Sequence, residues 1–193
     1  MKRLLVILLA LLSLGAVAGP TFAAGSDKVL YNFETGKDGW WTFAKGVTLT
    51  ISNDTTTGAD GSTGSLLAAY QYQPGPMSYM GIGIQPKWAM AGDSWTNYAK
   101  GHMVISFKSD APVTVHIQLR ASDKKTYSYS IDAVPSTWKD YTIGFDKFVD
   151  KGTPIDLSAA DIDQIVIIPS KSDENAHSLW MDNVTLSKDP ATP

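Results

Sequence analysis

The chain has 193 residues, a formal net charge of −3 and no cysteine. This length fits one domain, and a fold without disulfides must be held together by its core. The acidic balance argues against nucleic acid or an anionic membrane as a partner. Six Trp and eight Tyr provide rings that can fill a core or stack on the C–H faces of sugars.

Residues 1–23 have the pattern of a secretory signal peptide. Lys2 and Arg3 precede an apolar run over residues 4–17, and small residues surround the expected cleavage site after Ala23. The run is shorter than the roughly 20 apolar residues that span a membrane. We therefore predict a secreted or periplasmic protein that has no membrane partner after cleavage.

Residues 28–187 form the predicted domain, in which apolar and polar residues alternate with the period of β-strands. Ten such segments separated by turn signals predict an all-β fold, an antiparallel β-sandwich of the jelly-roll type. Only residues 145–150 and 158–162 suggest short helical turns, and residues 188–193 are predicted to be a flexible tail. The predicted strands are 29–34, 47–52, 65–72, 79–84, 103–108, 113–120, 127–131, 139–145, 162–168 and 179–186.

The motifs of common enzyme classes are missing from the sequence. It contains no Gly-x-Ser-x-Gly, His-Glu-x-x-His or phosphate-binding glycine loop, and its three histidines are dispersed. A glycosidase would need two carboxylates flanking a bond in a cleft, whereas many acidic residues here fall in predicted turns. We expect a protein that is not an enzyme.

One predicted strand carries a row of polar side chains suited to a polyhydroxylated ligand. His116, Gln118 and Arg120 project from the same side of the 113–120 strand and offer several hydrogen-bond donors. An ordinary solvated strand face is an equally good interpretation of these residues alone. The next strand adds further candidates, namely Tyr127, Tyr129 and Asp132.

The tryptophans are ambiguous between core and ligand roles. Trp40 and Trp41 are adjacent, so one ring is expected to face inwards and the other outwards. Trp88 and Trp95 lie in a segment without strand periodicity, where a core role is harder to explain.

Three acidic residues suggest a calcium site, since calcium takes oxygen ligands. Glu34 ends the first predicted strand, Asp60 lies in a turn-rich segment, and Asp182 lies where the alternation of the last strand breaks. That break at Asp182-Asn183 predicts a β-bulge. Unrelated surface carboxylates are the alternative.

Short motifs in a fixed order, from residue 29 to residue 186, resemble the family 11 carbohydrate-binding modules and their galactose-binding-like jelly-roll relatives. No single motif is specific, and the resemblance rests on their order and spacing. The motifs are Asn-Phe-Glu at 32–34, Gly-Trp at 39–40, Gly-Ser-Leu at 64–66, Gly-Asp-Ser-Trp-Thr-Asn-Tyr at 92–98, Phe-Lys-Ser at 107–109, Tyr-Ser-Ile at 129–131, Ser-Thr-Trp-Lys at 136–139, Ile-Gly-Phe-Asp-Lys-Phe at 143–148, Ile-Asp-Gln-Ile at 162–165 and Met-Asp-Asn-Val at 181–184.

The resemblance implies a concave sheet face that holds a β-glucan or a related plant or microbial polysaccharide. It also implies a structural calcium, which fits Glu34 and Asp182, and a partner glycoside hydrolase encoded nearby. Tyr79 and Tyr129 match family tyrosines, and with Trp138 or Tyr127 they would stack on sugar rings. The alternative is a secreted structural or protein-interaction jelly roll of the cell envelope.

Two departures from the family pattern concern the ligand. Ser106 stands where related modules can carry an acidic residue, and Met80 stands where they can carry a tryptophan.

Overall fold

The computed structural model describes residues 27–191, so the predicted signal peptide and the last two residues lie outside the described part. Thirteen strands and two short 3₁₀ helices, Trp95–Tyr98 and Phe145–Lys147, follow one another within it. The strands are β1 (Lys28–Tyr31), β2 (Trp41–Lys45), β3 (Val47–Asp54), β4 (Ser65–Tyr72), β5 (Tyr79–Ile84), β6 (His102–Ser109), β7 (Val113–Ala121), β8 (Thr126–Val134), β9 (Lys139–Gly144), β10 (Val149–Asp150), β11 (Thr153–Pro154), β12 (Ile162–Pro169) and β13 (Ala176–Ser187).

These strands form two antiparallel sheets. The six-stranded sheet has the order β3-β4-β13-β6-β9, with β1 also paired to β13. The seven-stranded sheet has the order β11-β10-β8-β7-β12-β5-β2. The predicted all-β antiparallel sandwich of jelly-roll type is therefore confirmed.

The core lies between the two sheets, and the alternation of each strand decides which residues enter it. On β7, Val115, Ile117 and Leu119 are fully buried while the residues between them reach the outer face. Ile105 and Phe107 of β6 are equally buried on the opposing sheet. Burial of one apolar face per sheet is the main stabilising contribution to such a sandwich.

The structure differs from the sequence prediction mainly at the edges. The strand β2 was not expected, because its five residues are a weak pattern that becomes a strand only by pairing with β5. Residues 158–162 contain no helix; they form a turn that leads into β12. The first residues of the predicted flexible tail contact the domain, since His102 Nδ1 lies 2.7 Å from the carbonyl oxygen of Asp189.

No helix among residues 27–191 combines the length and the apolar character needed to cross a lipid bilayer.

Candidate functional site

The outer face of the seven-stranded sheet brings polar and aromatic residues together. Register pairs place Ser128, Gln118, Val166, Gly83 and Trp41 in one row across β8, β7, β12, β5 and β2. Neighbouring strands are about 4.8 Å apart, so this row spans roughly 19 Å. The β8–β7 half of the face carries polar side chains and the β5–β2 half carries aromatic ones.

The aromatic half is a stripe formed by Trp41, Phe43 and Tyr79. The ring centroids of Trp41 and Phe43 are 5.7 Å apart, and those of Phe43 and Tyr79 are 6.4 Å apart. Successive rings are inclined by 40° and 46°. Tyr79 is 52% exposed, and the other two rings are half-buried. We call these three residues the aromatic stripe.

Two glycines of β5 explain how Trp41 and Phe43 lie close against the sheet. A Cβ atom at Gly83 would stand 2.6 Å from Cζ2 of Trp41, and one at Gly81 would stand 2.3 Å from Cζ of Phe43. The rings therefore occupy the space that side chains at these positions would fill. Each of these two rings therefore covers a glycine of the neighbouring strand and remains partly exposed.

The polar half contains most of the side chains predicted from the β7 alternation. His116 Nδ1 lies 2.8 Å from the Ser130 hydroxyl, and its Nε2 lies 2.8 Å from the Ser170 hydroxyl. Arg120 donates to the amide oxygen of Gln164 at 3.2 Å. Both ring nitrogens of His116 are therefore occupied, whereas the guanidinium of Arg120 has further N–H donors to offer a ligand.

Gln118 and Asp132 complete this polar half. Gln118 lies in the central row, beside Val166. Asp132 is exposed and accepts a hydrogen bond of 3.3 Å from the Thr114 hydroxyl. The structure thus brings together His116, Gln118, Arg120, Asp132 and Tyr79 on one face.

Tyr127 and Tyr129 lie on the opposite side of the sheet, which corrects the expected stacking role of Tyr127. They pair with the buried Leu119 and Ile117, so their side chains point towards the core. Tyr127 is 3% exposed and therefore offers no ring face to a ligand. Burial raises the pKa of Tyr127, whose hydroxyl donates to Asp123 at 2.8 Å.

Tyr129 and Trp138 also lie apart from the outer face. The ring of Tyr129 packs against Phe148, with the centroids 5.9 Å apart. Trp138 is half-buried in the connection between β8 and β9, outside the strands that carry the aromatic stripe. For Tyr129, a shift of one residue along the strand would reverse the direction of the side chain, because successive strand residues point to opposite faces.

Sequence reasoning missed Trp41 and Phe43 as site residues. It expected one ring of the Trp40-Trp41 pair to face outwards, and the structure buries Trp40 and leaves Trp41 on the outer face. The signal was the Trp-x-Phe alternation of residues 41–43 together with the Gly-x-Gly of residues 81–83, which makes room for two flat rings. Trp95 is buried, whereas Trp88 is 79% exposed.

The predicted calcium ligands separate into two places. Asp182 is fully buried, and its carboxylate accepts backbone N–H groups of Ala59 at 2.9 Å and Asn183 at 2.7 Å. Burial raises the pKa of Asp182, and the nearby charge of Glu34 raises it further. Asp60 instead interacts with Asp140, whose charge raises the pKa of Asp60. The bulge predicted at Asp182 is confirmed by the register shift that follows it.

Hydrogen-bond donors surround the Glu34 carboxylate. Hydroxyls of Ser62 and Thr63 donate to it, and these hydrogen bonds lower its pKa. No three His, Asp or Glu side chains among residues 27–191 meet in an arrangement that would hold a metal ion. Two carboxylates with neighbouring hydroxyl and carbonyl oxygens are nevertheless the ligand chemistry that calcium prefers. Glu34 and Asp182 fit such an ion, and Asp60 lies beside Asp140 instead.

The same fold occurs in several solved structures. A family 11 carbohydrate-binding module of a cellulosomal cellulase of Clostridium thermocellum is 18% identical, with a TM-score of 0.63 over 88% of this chain and 99% of that chain. A family 11 module from this organism in complex with a β-1,3-1,4-mixed-linked tetrasaccharide is 16% identical, with a TM-score of 0.62 over 88% and 100%. The predicted likeness to family 11 modules is confirmed at the level of the fold.

An exo-β-agarase is 16% identical, with a TM-score of 0.60 over 86% of this chain and 26% of that chain. The fold is therefore found in isolated modules and also as a minor part of an enzyme. No protein-family model and no curated protein matches the sequence.

Proposed function

We propose that this protein is a non-catalytic polysaccharide-binding module that uses the outer face of its seven-stranded sheet. The observation that carries the proposal is the aromatic stripe, in which Trp41 and Phe43 lie flat over Gly83 and Gly81 beside the exposed Tyr79. Aromatic faces stack on the apolar faces of pyranose rings. The polar half of the same sheet supplies the hydrogen bonds that hydroxyl groups require.

The ligand we propose is a single chain of a β-glucan or a related polysaccharide. The inclination of successive rings by 40° and 46° suits a chain that twists along its length better than a flat crystalline surface. The mixed-linked tetrasaccharide bound by a structurally similar module supports a β-glucan. A secreted or periplasmic location, and action beside a glycoside hydrolase encoded nearby, complete the proposal.

Calorimetry against soluble glucans, mannans and xylans tests the proposal. We expect micromolar affinity, about −8 kcal/mol, for at least one of these polysaccharides. Trp41→Ala should weaken binding about tenfold or more, because the apolar surface that an indole buries against a sugar ring is worth roughly 1.5 kcal/mol or more. Absence of binding to the whole panel would refute the proposal.

A matched control variant is Trp180→Ala. Trp180 is also a half-buried indole, but it lies on the six-stranded sheet, where it donates to Asp54 at 2.9 Å and has the Lys108 ammonium 4.7 Å from its ring. Its removal should leave polysaccharide affinity unchanged. Equal losses in the Trp41 and Trp180 variants would indicate a general effect on folding instead of a binding face.

A secreted structural or protein-interaction role is the second candidate. It is favoured by the exposure of Met77 and Trp88, at 64% and 79%, which lie on either side of β5 in the sequence. Sedimentation in the absence of sugar separates the two roles: concentration-dependent self-association without polysaccharide binding would favour this second candidate.

We also propose that a structural calcium ion is held by Glu34 and Asp182. A fully buried carboxylate such as Asp182 is costly without a compensating charge, and a cation would supply that charge. A ligand present at 100 times its Kd stabilises the folded state by about 2.7 kcal/mol. A calcium chelator should therefore lower the Tm of the wild type.

Two variants test whether Asp182 is responsible for the effect of the chelator on the Tm. Asp182→Asn should abolish the response of the Tm to chelator, whereas Asp60→Asn should retain it because Asp60 interacts with Asp140 instead. A wild-type Tm that does not respond to chelator would contradict the calcium proposal and leave the polysaccharide proposal untouched.

A further inference from the structure

Trp88 is the most exposed of the large hydrophobic side chains among residues 27–191, at 79%. It lies in the segment that follows β5, four residues after the last residue of that strand. The ammonium of Lys87 lies 5.0 Å from the centroid of its ring, so a cation covers part of the indole. The packing of the core does not account for an indole in this position.

A cavity of about 400 Å³ lies between Trp88 and the aromatic stripe. Trp41 and Trp88 both line it, so it continues the stripe past the end of the sheet in the order Tyr79, Phe43, Trp41, Trp88. Its volume falls in the range of small-ligand pockets. The aromatic surface of the outer face therefore does not end at Trp41.

The polar groups of the cavity are suited to a sugar. Asp38 and Gln85 line it together with the two indoles. The Asp38 carboxylate already accepts the backbone N–H of Phe33 at 3.3 Å, which holds it in position, and a carboxylate accepts several hydrogen bonds. Gln85 offers both a donor and an acceptor. Two apolar ring faces with a few polar groups are what a pyranose ring requires.

We infer that the cavity between Trp41 and Trp88 binds one further pyranose unit of the polysaccharide, beyond the units stacked on the aromatic stripe. This inference rests on the proposed polysaccharide-binding function and adds a terminal position to it. Trp88 stacks on the sugar ring, and Asp38 and Gln85 bind its hydroxyl groups. A chain too short to reach past Trp41 does not contact Trp88.

Calorimetry with a length series tests this inference. The probes are mixed-linkage β-1,3-1,4-gluco-oligosaccharides from the disaccharide to the hexasaccharide, measured against the wild type, Trp88→Ala and Trp88→Phe. Because Trp88 is so exposed, its replacement should leave the Tm nearly unchanged. We expect Trp88→Ala to bind the longest probes about three- to tenfold more weakly than the wild type and the shortest probes equally well. Trp88→Phe should restore most of the loss.

The outcomes separate this inference from the proposal on which it rests. An equal loss at every probe length, or no loss at any length, would overturn the terminal position while leaving the binding face intact. Failure of the wild type to bind any probe of the series would overturn the terminal position for these ligands. If the wild type also bound no glucan, mannan or xylan, the proposed function itself would fall.

Discussion

The flat placement of Trp41 over Gly83 predicts a specific coupling between these two residues. A Cβ atom at Gly83 would meet three atoms of the Trp41 indole, Cζ2 at 2.6 Å, Cη2 at 2.8 Å and Cε2 at 3.0 Å. These are the nearest contacts, so Gly83→Ala perturbs the ring and little else. The indole must lift off the sheet to accept the methyl group.

The expected magnitudes follow from the two opposing effects of the methyl group. Where the native backbone accepts alanine, replacement of a strand glycine stabilises the folded state by about 0.4–1 kcal/mol. The reason is that alanine reduces the conformational entropy of the unfolded chain. Overpacking costs about 1–3 kcal/mol, and for a half-buried surface ring we take about 1.5 kcal/mol, in the lower half of that range. Gly83→Ala should therefore lower the free energy of unfolding by about 0.5–1 kcal/mol in the wild type and raise it slightly in Trp41→Ala.

Urea unfolding of the wild type, both single variants and the double variant measures this coupling directly. We expect an interaction free energy of about 1–2 kcal/mol between the two positions, within the range for residues in contact. Polysaccharide affinity should fall in Gly83→Ala even though Trp41 is present, because the ring is no longer flat. Additive effects of the two substitutions on stability would refute the placement of the ring.

Two further predictions concern residues outside the aromatic stripe. Tyr127→Phe should leave polysaccharide affinity unchanged in calorimetry, because the ring is buried and does not reach the ligand. It should lower the Tm, because the hydrogen bond from the Tyr127 hydroxyl to Asp123 is lost. A large loss of affinity would contradict the core orientation of Tyr127. His177 lies between Asp173 at 2.8 Å and Asp110 at 3.4 Å, and the Asp173 hydrogen bond raises its pKa. This stabilisation is complete below the unfolded pKa of about 6.5 and is lost as the pH rises through the higher folded pKa. His177→Gln should therefore lower the Tm more at pH about 5.5 than at pH about 8.5 in thermal unfolding; an equal loss at both would contradict a charged His177.

The part of the fold that was predicted correctly follows mostly from the alternation of apolar and polar residues along each strand. On β7 the pattern of Val113, Val115, Ile117 and Leu119 is unambiguous, and the structure buries all four. The same pattern placed His116, Gln118 and Arg120 on one face, which the structure confirms. The strand β2 escaped prediction because a five-residue edge strand carries too short a pattern to be distinguished from a loop.

The candidate site was predicted only in its polar half. Tyr127 and Tyr129 alternate with Ser128 and Ser130, which groups the two tyrosines on one face. Because a tyrosine has an apolar ring and a polar hydroxyl, it suits a core or a ligand-binding face, and alternation does not say which of the two this face is. Pairing with Leu119 and Ile117 of β7 settles their direction. Asp60 was grouped with Glu34 and Asp182 by residue type, whereas its neighbour in space is Asp140, distant in the sequence.

The sequence by itself determined that this is an all-β domain with one polar strand face, because period-two alternation is a local property of the chain. Only the tertiary structure decided that Trp41, Phe43 and Tyr79 form one aromatic surface, and that Trp88 extends it. Those residues come from different strands and from a loop, and the space for the flat rings is made by glycines of a neighbouring strand. Strand order and register, which depend on long-range contacts, bring them together.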